Sequence, residues 1–485
     1  MTDELPDLPQ FGATFMEFMS LMSAAARGRE SQLGERVRAH LGCDPRELPT
    51  TGADFVIPDR PNMQLALDAV IPDSELLGFV SPHGGMMAVG LTDLLGGHPM
   101  AGAIEPGPVQ YTDVEVGDGR VVRCVSAGVF LASRNGAPVV LVLSSTEGGP
   151  FGRSKLRLEG CSPQDGVVSA LLGELRAAMR EHNVYRGRVI SLHGDMERSI
   201  SVQFHALPEI TRDAVVLPPG TLERIERHAI GVAQHAERLR SAGRQLKRGV
   251  LLHGPPGTGK TLSVNYLLGA MPGRTTVLLT GRGLGLIEPA VRIARDLVPA
   301  TVVLEDVDLV AAERTMPGGD NGVLFELLNQ MEGLDDDADL LFLLTTNRAD
   351  LIEPALATRP GRVDLALEIP LPDDAARARL LRLYAGDIPL DDEAEQDLVA
   401  RTGELSGAFI KELMRQASLR AALQARPATG ADATSTLDEL LEERSTLTRR
   451  LLGEGADGAA APPPFPAMLH AFGAAGIQVP GLAQE

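Results

Sequence analysis

Eight residues of this sequence have the types and spacing to hold phosphate. Gly254-Pro255-Pro256-Gly257-Thr258-Gly259-Lys260-Thr261 fits the pattern G-x-x-x-x-G-K-[ST]. Glycines in such a loop let successive backbone N–H groups turn inward around phosphate oxygens. A following helix adds the positive end of its dipole. Lys260 is a compact charge able to reach the β- and γ-phosphates of a nucleotide, and the Thr261 hydroxyl suits Mg2+. The chain holds only four lysines, Lys155, Lys247, Lys260 and Lys411, so abundance does not explain one at this position.

A second group follows in Val302-Val303-Leu304-Glu305-Asp306-Val307-Asp308, where apolar residues run straight into acids. Glu305 is expected to assist the Mg2+ site through water, and Asp306 to orient and polarise the attacking water. Many nucleotide hydrolases place Asp before Glu; here the order is reversed. The reversal moves each carboxylate by about one C–C bond, roughly 1.5 Å. A positioned reaction feels such a shift, so hydrolysis is expected to be slow unless the backbone compensates. A third apolar run, Leu340–Thr346, ends at Asn347, whose side chain could sit between the two acids and the γ-phosphate. By itself Asn347 is a weak signal, because Asn is also a common turn residue.

These residues need elements to position them. Gly249–His253 reads as a short buried strand entering the glycine loop, and Leu262–Met271 as the helix leaving it. The distance to the acids suits a strand lying beside the loop strand. From Gly249 onward strand and helix patterns alternate, which argues a parallel sheet covered on both faces. Thr221–His228 and Val232–Ala242 read as a helix pair ahead of it. Asp374 to about Arg426 reads as helices only. Pro427–Thr434 reads as a linker, Leu437–Leu452 as a charged helix, and the Gly/Ala- and Pro-rich tail as disordered.

The first 215 residues read as a separate α+β domain. Phe11 to Leu41 has a helical stripe of Phe and Met, more often core than a binding face. Asn135-Gly136 between two Val/Leu-rich runs is a hairpin signal. Val167–Glu181 reads as helix, Arg188–Leu192 and Ser199–Phe204 as strands. No constellation here carries chemistry; client or partner binding is its expected role. The expected division is 1–215, 216–372 for the α/β core, 373–426 for the helical part and 427–485 for linker, charged helix and tail.

Net charge is −20 over 485 residues, which disfavours a nucleic-acid backbone or an anionic membrane as partner. No apolar run is long enough to span a bilayer, and the acidic, Pro-containing start is not a signal peptide. Cys43, Cys124 and Cys161 lack metal-ligand spacing. Reduced thiols and a cytoplasmic location are expected.

Taken together, five ordered blocks resemble the AAA ATPases. They are Arg248–Thr261, Val302–Asp308, Leu327–Leu334, Thr345–Asp364 and Leu405–Ala417. The resemblance runs from about Leu217 to Ala425. It implies a doubly wound α/β P-loop core with a C-terminal helical lid, ATP and Mg2+ as cofactors, and ATP hydrolysis in a homo-oligomeric ring, typically a hexamer. It assigns Asn347 as the polar sensor of the γ-phosphate. It assigns Arg359 and Arg362 as fingers reaching the neighbouring subunit's nucleotide, and Gly407 and Ala408 as the small residues that approach it.

Three departures stand out. The reversed Glu305-Asp306 resembles the clade that assembles mitochondrial respiratory complex III. The lid has Glu404 where Gly is usual and Phe409 where Asp is usual. Gly281–Leu286 lacks the aromatic that threading members use to grip a client chain, leaving Leu284 or Leu286. Two functions stay open: a chaperone-like protein-remodelling ATPase, and a nucleotide-switched scaffold or assembly protein with little turnover.

Overall fold

The computed structural model describes residues 12–18, 21, 32–80, 89–95, 104–146, 155–194, 200–308, 338–348 and 363–451. The expected tail, Leu327–Leu334 and the segment holding Arg359 and Arg362 lie outside them. The chain divides into two compact units, Met1–Ala376 and Arg377–Glu485.

The described residues of the first unit form two sheets. The N-terminal one is antiparallel throughout, in the order β1 (Thr51–Val56), β7 (Lys155–Cys161), β6 (Ala137–Thr146), β5 (Val121–Arg134), β2 (Glu75–Val80), β3 (Glu105–Gly107), with β4 (Gln110–Glu115) on the far part of β5. Helix α1 (Gln32–Leu41) packs on one face; α2 (Arg60–Val70) and α3 (Val167–Glu181) pack on the other. The central strand β6 shows why its sequence is an unbroken apolar run. Val139, Leu141 and Leu143 point into one core and Val140 and Val142 into the other, so alternation feeds two buried faces. The β5–β6 turn has Asn135 at φ 52° and Gly136 at φ 81°, the paired left-handed conformation that Asn-Gly favours.

The second sheet has the order β14 (Leu365–Glu368), β10 (Arg248–His253), β13 (Leu340–Thr346), β12 (Ala300–Glu305), β11 (Thr275–Thr280), β8 (Val189–Gly194), β9 (Ile200–His205). All pairings are parallel except the β8–β9 hairpin. Alternate residues again feed two cores. Leu340, Phe342 and Leu344 of β13 face α5 (Ile287–Asp296); Leu341 and Leu343 face α4 (Lys260–Gly269). Two expectations change here. The strand bearing the acids, β12, does not lie beside the loop strand β10, because β13 sits between them. The strands assigned to the N-terminal region, β8 and β9, extend the second sheet past β11, so that sheet begins well before residue 216. Hairpin residues are nearly silent about their sheet, since an edge hairpin has the same alternation in either.

The two sheets of this unit are joined at specific atoms. Tyr185 Oη donates to Pro58 O at 2.5 Å, and Val184 N to Asn62 Oδ1 at 2.9 Å. Asp59, in the short turn before α2, lies close enough to Arg292 and Asp296 of α5 to feel their charges. Burial pushes its carboxyl up to about 6.

The described residues of the second unit are helical. They comprise most of α6 (Asp374–Ala385), then α7 (Asp392–Arg401), α8 (Gly407–Leu423) and α9 (Gly430–Leu451). Asp391 caps α7 by accepting from Ala394 N at 2.8 Å. Helix α9 starts inside the stretch that reads as linker, because Asp432 fastens its first turn by accepting from Thr429 N at 2.9 Å and pairing with Arg426.

Candidate functional site

The glycine loop leaves β10 and enters α4. Gly254, Gly257 and Gly259 have φ of 141°, 76° and 103°, conformations that side chains resist. Gly254 is also constrained by space, since a Cβ there would lie 2.2 Å from Ile369 O. Pro255 and Pro256 stiffen the approach, and Pro255 O accepts from Thr258 Oγ1 at 2.9 Å. Lys260 opens α4 and is only 6% exposed. Its Nζ donates to Gly254 O and Pro255 O, each at 2.8 Å, so the ammonium lies across the loop's mouth. Burial pushes its pKa down, and the carboxylates of Asp306 and Asp308 push it back up.

The acids arrive from β12 and Asn347 from β13, the strand adjoining both β12 and β10. Glu305, the last residue of β12, lies near enough to the Thr261 hydroxyl for that group to favour its charged form. Burial raises the Glu305 pKa, and Asp306 raises it further, while the Thr261 hydroxyl opposes both. Asp306 has φ 51°, a left-handed conformation that Asp tolerates better than a longer acid. Its N donates to Thr345 Oγ1 at 3.1 Å, and its Oδ1 accepts from Asn347 Nδ2 at 3.1 Å. The reversed acid order thus has a backbone reason. The long side chain leaves the strand end on the Thr261 side; the short one occupies the left-handed turn.

Lys260, Thr261, Glu305, Asp306 and Asn347 therefore meet at the C-terminal ends of β10, β12 and β13. That is where parallel sheets place ligand sites. The pair Thr261 and Glu305 presents oxygen donors alone, the chemistry Mg2+ selects, and the open left-handed loop at the start of α4 fits a phosphate chain. Both Lys260 and Glu305 are charged groups disfavoured by burial, so a bound cation–phosphate pair would relieve both. Arg359 and Arg362 lie outside the described residues. Gly407 and Ala408 begin α8 in the second unit, behind Ser406, whose Oγ accepts from Phe409 N at 3.4 Å. Glu404, in the usual glycine position, has φ 59°, the backbone conformation a glycine would serve.

Sequence reasoning missed Asp308, Thr345 and Thr346. Asp308 is 9% exposed; its Oδ1 accepts from Thr346 Oγ1 at 2.9 Å and from Asn347 N at 3.1 Å. The available signal was the pair of threonines closing an otherwise aliphatic strand.

The sequence model of the family described as "ATPase family associated with various cellular activities (AAA)" matches residues 250–371. These residues form an AAA ATPase domain. The AAA domain carries the glycine loop, both acids and Asn347. The chain is 34% identical over 201 residues to the 26S proteasome regulatory subunit 6B homolog of Dictyostelium discoideum, covering 39% of this chain and 50% of that protein. It is 35% identical over 197 residues to proteasome-activating nucleotidase 2 of Halobacterium salinarum, covering 38% and 48%. Proteasome-activating nucleotidase of Methanocaldococcus jannaschii is 30% identical over 226 residues, covering 44% and 52%. The chain thus spans about half the length of the curated relatives it matches. Among the described residues no helix is long and apolar enough to cross a membrane.

Proposed function

We propose that this chain is a Mg2+-dependent ATPase that works as a homo-oligomeric, ring-forming protein-remodelling machine. The observation that carries the reading is the convergence of Lys260, Thr261, Glu305, Asp306 and Asn347 on one edge of the sheet. Bound Mg2+ would neutralise charge on the phosphate oxygens. Thr261 and Glu305 are the residues to hold it, Glu305 through water. Lys260 leaves its loop carbonyls for the phosphates. Asp306 orients the attacking water, and Asn347 holds the Asp306 carboxylate in place. Arg359 and Arg362 act in trans as fingers, which requires the ring. Gly407 and Ala408 form the small-residue approach of a helical lid, and the N-terminal sheet receives the protein client. Two of the similar proteins are named as proteasome-activating nucleotidases, which favours a protein client over a nucleic acid. A cytoplasmic location belongs to the same proposal.

The scaffold reading is favoured by one observation, the lack of any aromatic in Gly281–Leu286. Membership of the complex III assembly clade rests on the acid order, which the left-handed turn at Asp306 also selects. Steady-state phosphate release separates the two functions. A remodelling ATPase turns over, is stimulated by candidate clients, and loses turnover in Lys260→Ala and Asp306→Asn. Tight nucleotide binding with no release of phosphate would favour the scaffold.

A further inference from the structure

Resting on the ATPase reading, we infer that Asp308 and Thr346 are a positioning pair for hydrolysis, acting through Asn347. Neither needs to touch nucleotide. Asn347 lacks the support that a strand ladder gives its neighbours. It follows the last residue of β13, so the ladder to β12 no longer fixes its direction. Side chains take over where the ladder stops. The Thr346 hydroxyl accepts from Arg348 N at 3.0 Å, closing a turn around residue 347. The same hydroxyl donates to Asp308 Oδ1 at 2.9 Å, and that oxygen also accepts Asn347 N at 3.1 Å. Thr346 and Asp308 are both buried, so water does not compete freely for these bonds.

Asp308 reaches this place because the chain turns left-handed at Asp306, after which Val307 N donates to Thr345 O at 3.1 Å. One acid, Asp306, receives the Asn347 amide; the other, Asp308, fixes the backbone that aims it. A shift of about 1 Å in a positioned group costs on the order of 100-fold in rate. Loss of the pair should therefore fall on kcat rather than on nucleotide affinity.

The test compares Asp308→Ala, Thr346→Val, Asp308→Asn and Thr346→Ser in the full chain. Binding of Mg-ATP is measured by calorimetry and phosphate release at saturation. Thr346→Val keeps the buried shape, so it carries the test even if Asp308→Ala fails to fold. The expected result is a fall in kcat of about 10- to 100-fold for Thr346→Val and Asp308→Ala, with Kd within about threefold. Asp308→Asn and Thr346→Ser, which keep an acceptor and a hydroxyl, should recover most of the loss. The double variant Asp308→Ala/Thr346→Val should be no worse than either single one, because the two act as a unit. Unchanged kcat in folded Thr346→Val, beside a large loss in Asn347→Ala, would overturn the inference while leaving the ATPase reading intact. Parallel loss of binding and turnover would assign the pair a structural role instead. No turnover in the unaltered chain would overturn the ATPase reading and the inference with it.

Discussion

The two ends of the second sheet are built on opposite terms. At the N-terminal ends of its strands lies a buried ionic group with its hydrogen bonds satisfied. Asp339 accepts from Arg274 Nη1 at 2.9 Å and from Arg248 Nη1 at 3.2 Å. Arg248 also donates to the carbonyls of His228, Ala229 and Leu246, and Arg274 to those of Ala300 and Asp339. One carboxylate and five carbonyls thus surround two guanidinium groups, and burial still lowers the Arg248 pKa to about 10. This group ties the starts of β10, β12 and β13 to the residue entering β11. At the C-terminal ends, an ammonium rests on loop carbonyls and the Glu305 carboxyl is pushed up by burial with only the Thr261 hydroxyl and, among the described residues, no cation to offset it. At one end every charge has a full set of internal partners; at the other, Asp306 and Asp308 are bonded internally while Lys260 and Glu305 stay disfavoured by burial.

The largest effect should come from breaking the closed end. Asp339→Ala leaves two buried guanidinium groups without their anion, which costs about 3–5 kcal/mol. Urea unfolding should show the loss, and the folded fraction should keep nucleotide affinity. A change smaller than about 1 kcal/mol would show that the carbonyls suffice.

A smaller effect concerns the joint between the two sheets. The Asp59 carboxyl sits at about 6 against an ordinary 3.8, so the folded protein holds its proton more tightly than the unfolded chain. Its contribution is greatest below pH 3.8 and is lost as pH rises towards 6, with no further change above. After allowance for the solvent that still reaches it, the loss is on the order of 1–2 kcal/mol. Subtracting the pH–stability profile of Asp59→Asn from that of the unaltered protein should isolate this slope between pH 4 and about 6. A flat difference would place Asp59 in water.

The left-handed acids give the smallest effects. Glu404→Gly should stabilise the second unit by about 1 kcal/mol, because glycine has no penalty at positive φ. The exchange Glu305→Asp with Asp306→Glu should not speed hydrolysis. It should lower stability by up to about 1 kcal/mol, since the longer acid then takes the left-handed turn. Faster turnover in the exchanged protein would show that the reversed order is a defect.

Much of the open end was legible in the sequence because each part needs a particular residue type. Only glycine serves the three loop positions, only a lysine reaches across them, and apolar runs broken by acids mark strand ends. The order of strands was not legible, since the distance between Lys260 and Glu305 fits a neighbouring strand or one farther away. β8 and β9 read as strands of the N-terminal region, and their place in the second sheet was not legible for a related reason: a hairpin's pattern records its buried face but not its neighbour. Asp308 was hidden because one more acid in an acidic run reads as solvated. Its burial follows from the left-handed turn at Asp306, which sequence spacing does not reveal. The closed end was hidden too, as Arg248, Arg274 and Asp339 are far apart in the chain and resemble surface charges until the strands are aligned.

The most direct test of the central claim is calorimetric titration of the full chain with a non-hydrolysable ATP analogue, with and without Mg2+. Binding should strengthen with Mg2+ and weaken by about 10- to 100-fold in Lys260→Ala, with the fold retained. Absence of any magnesium-dependent binding, or equal binding by Lys260→Ala, would contradict it.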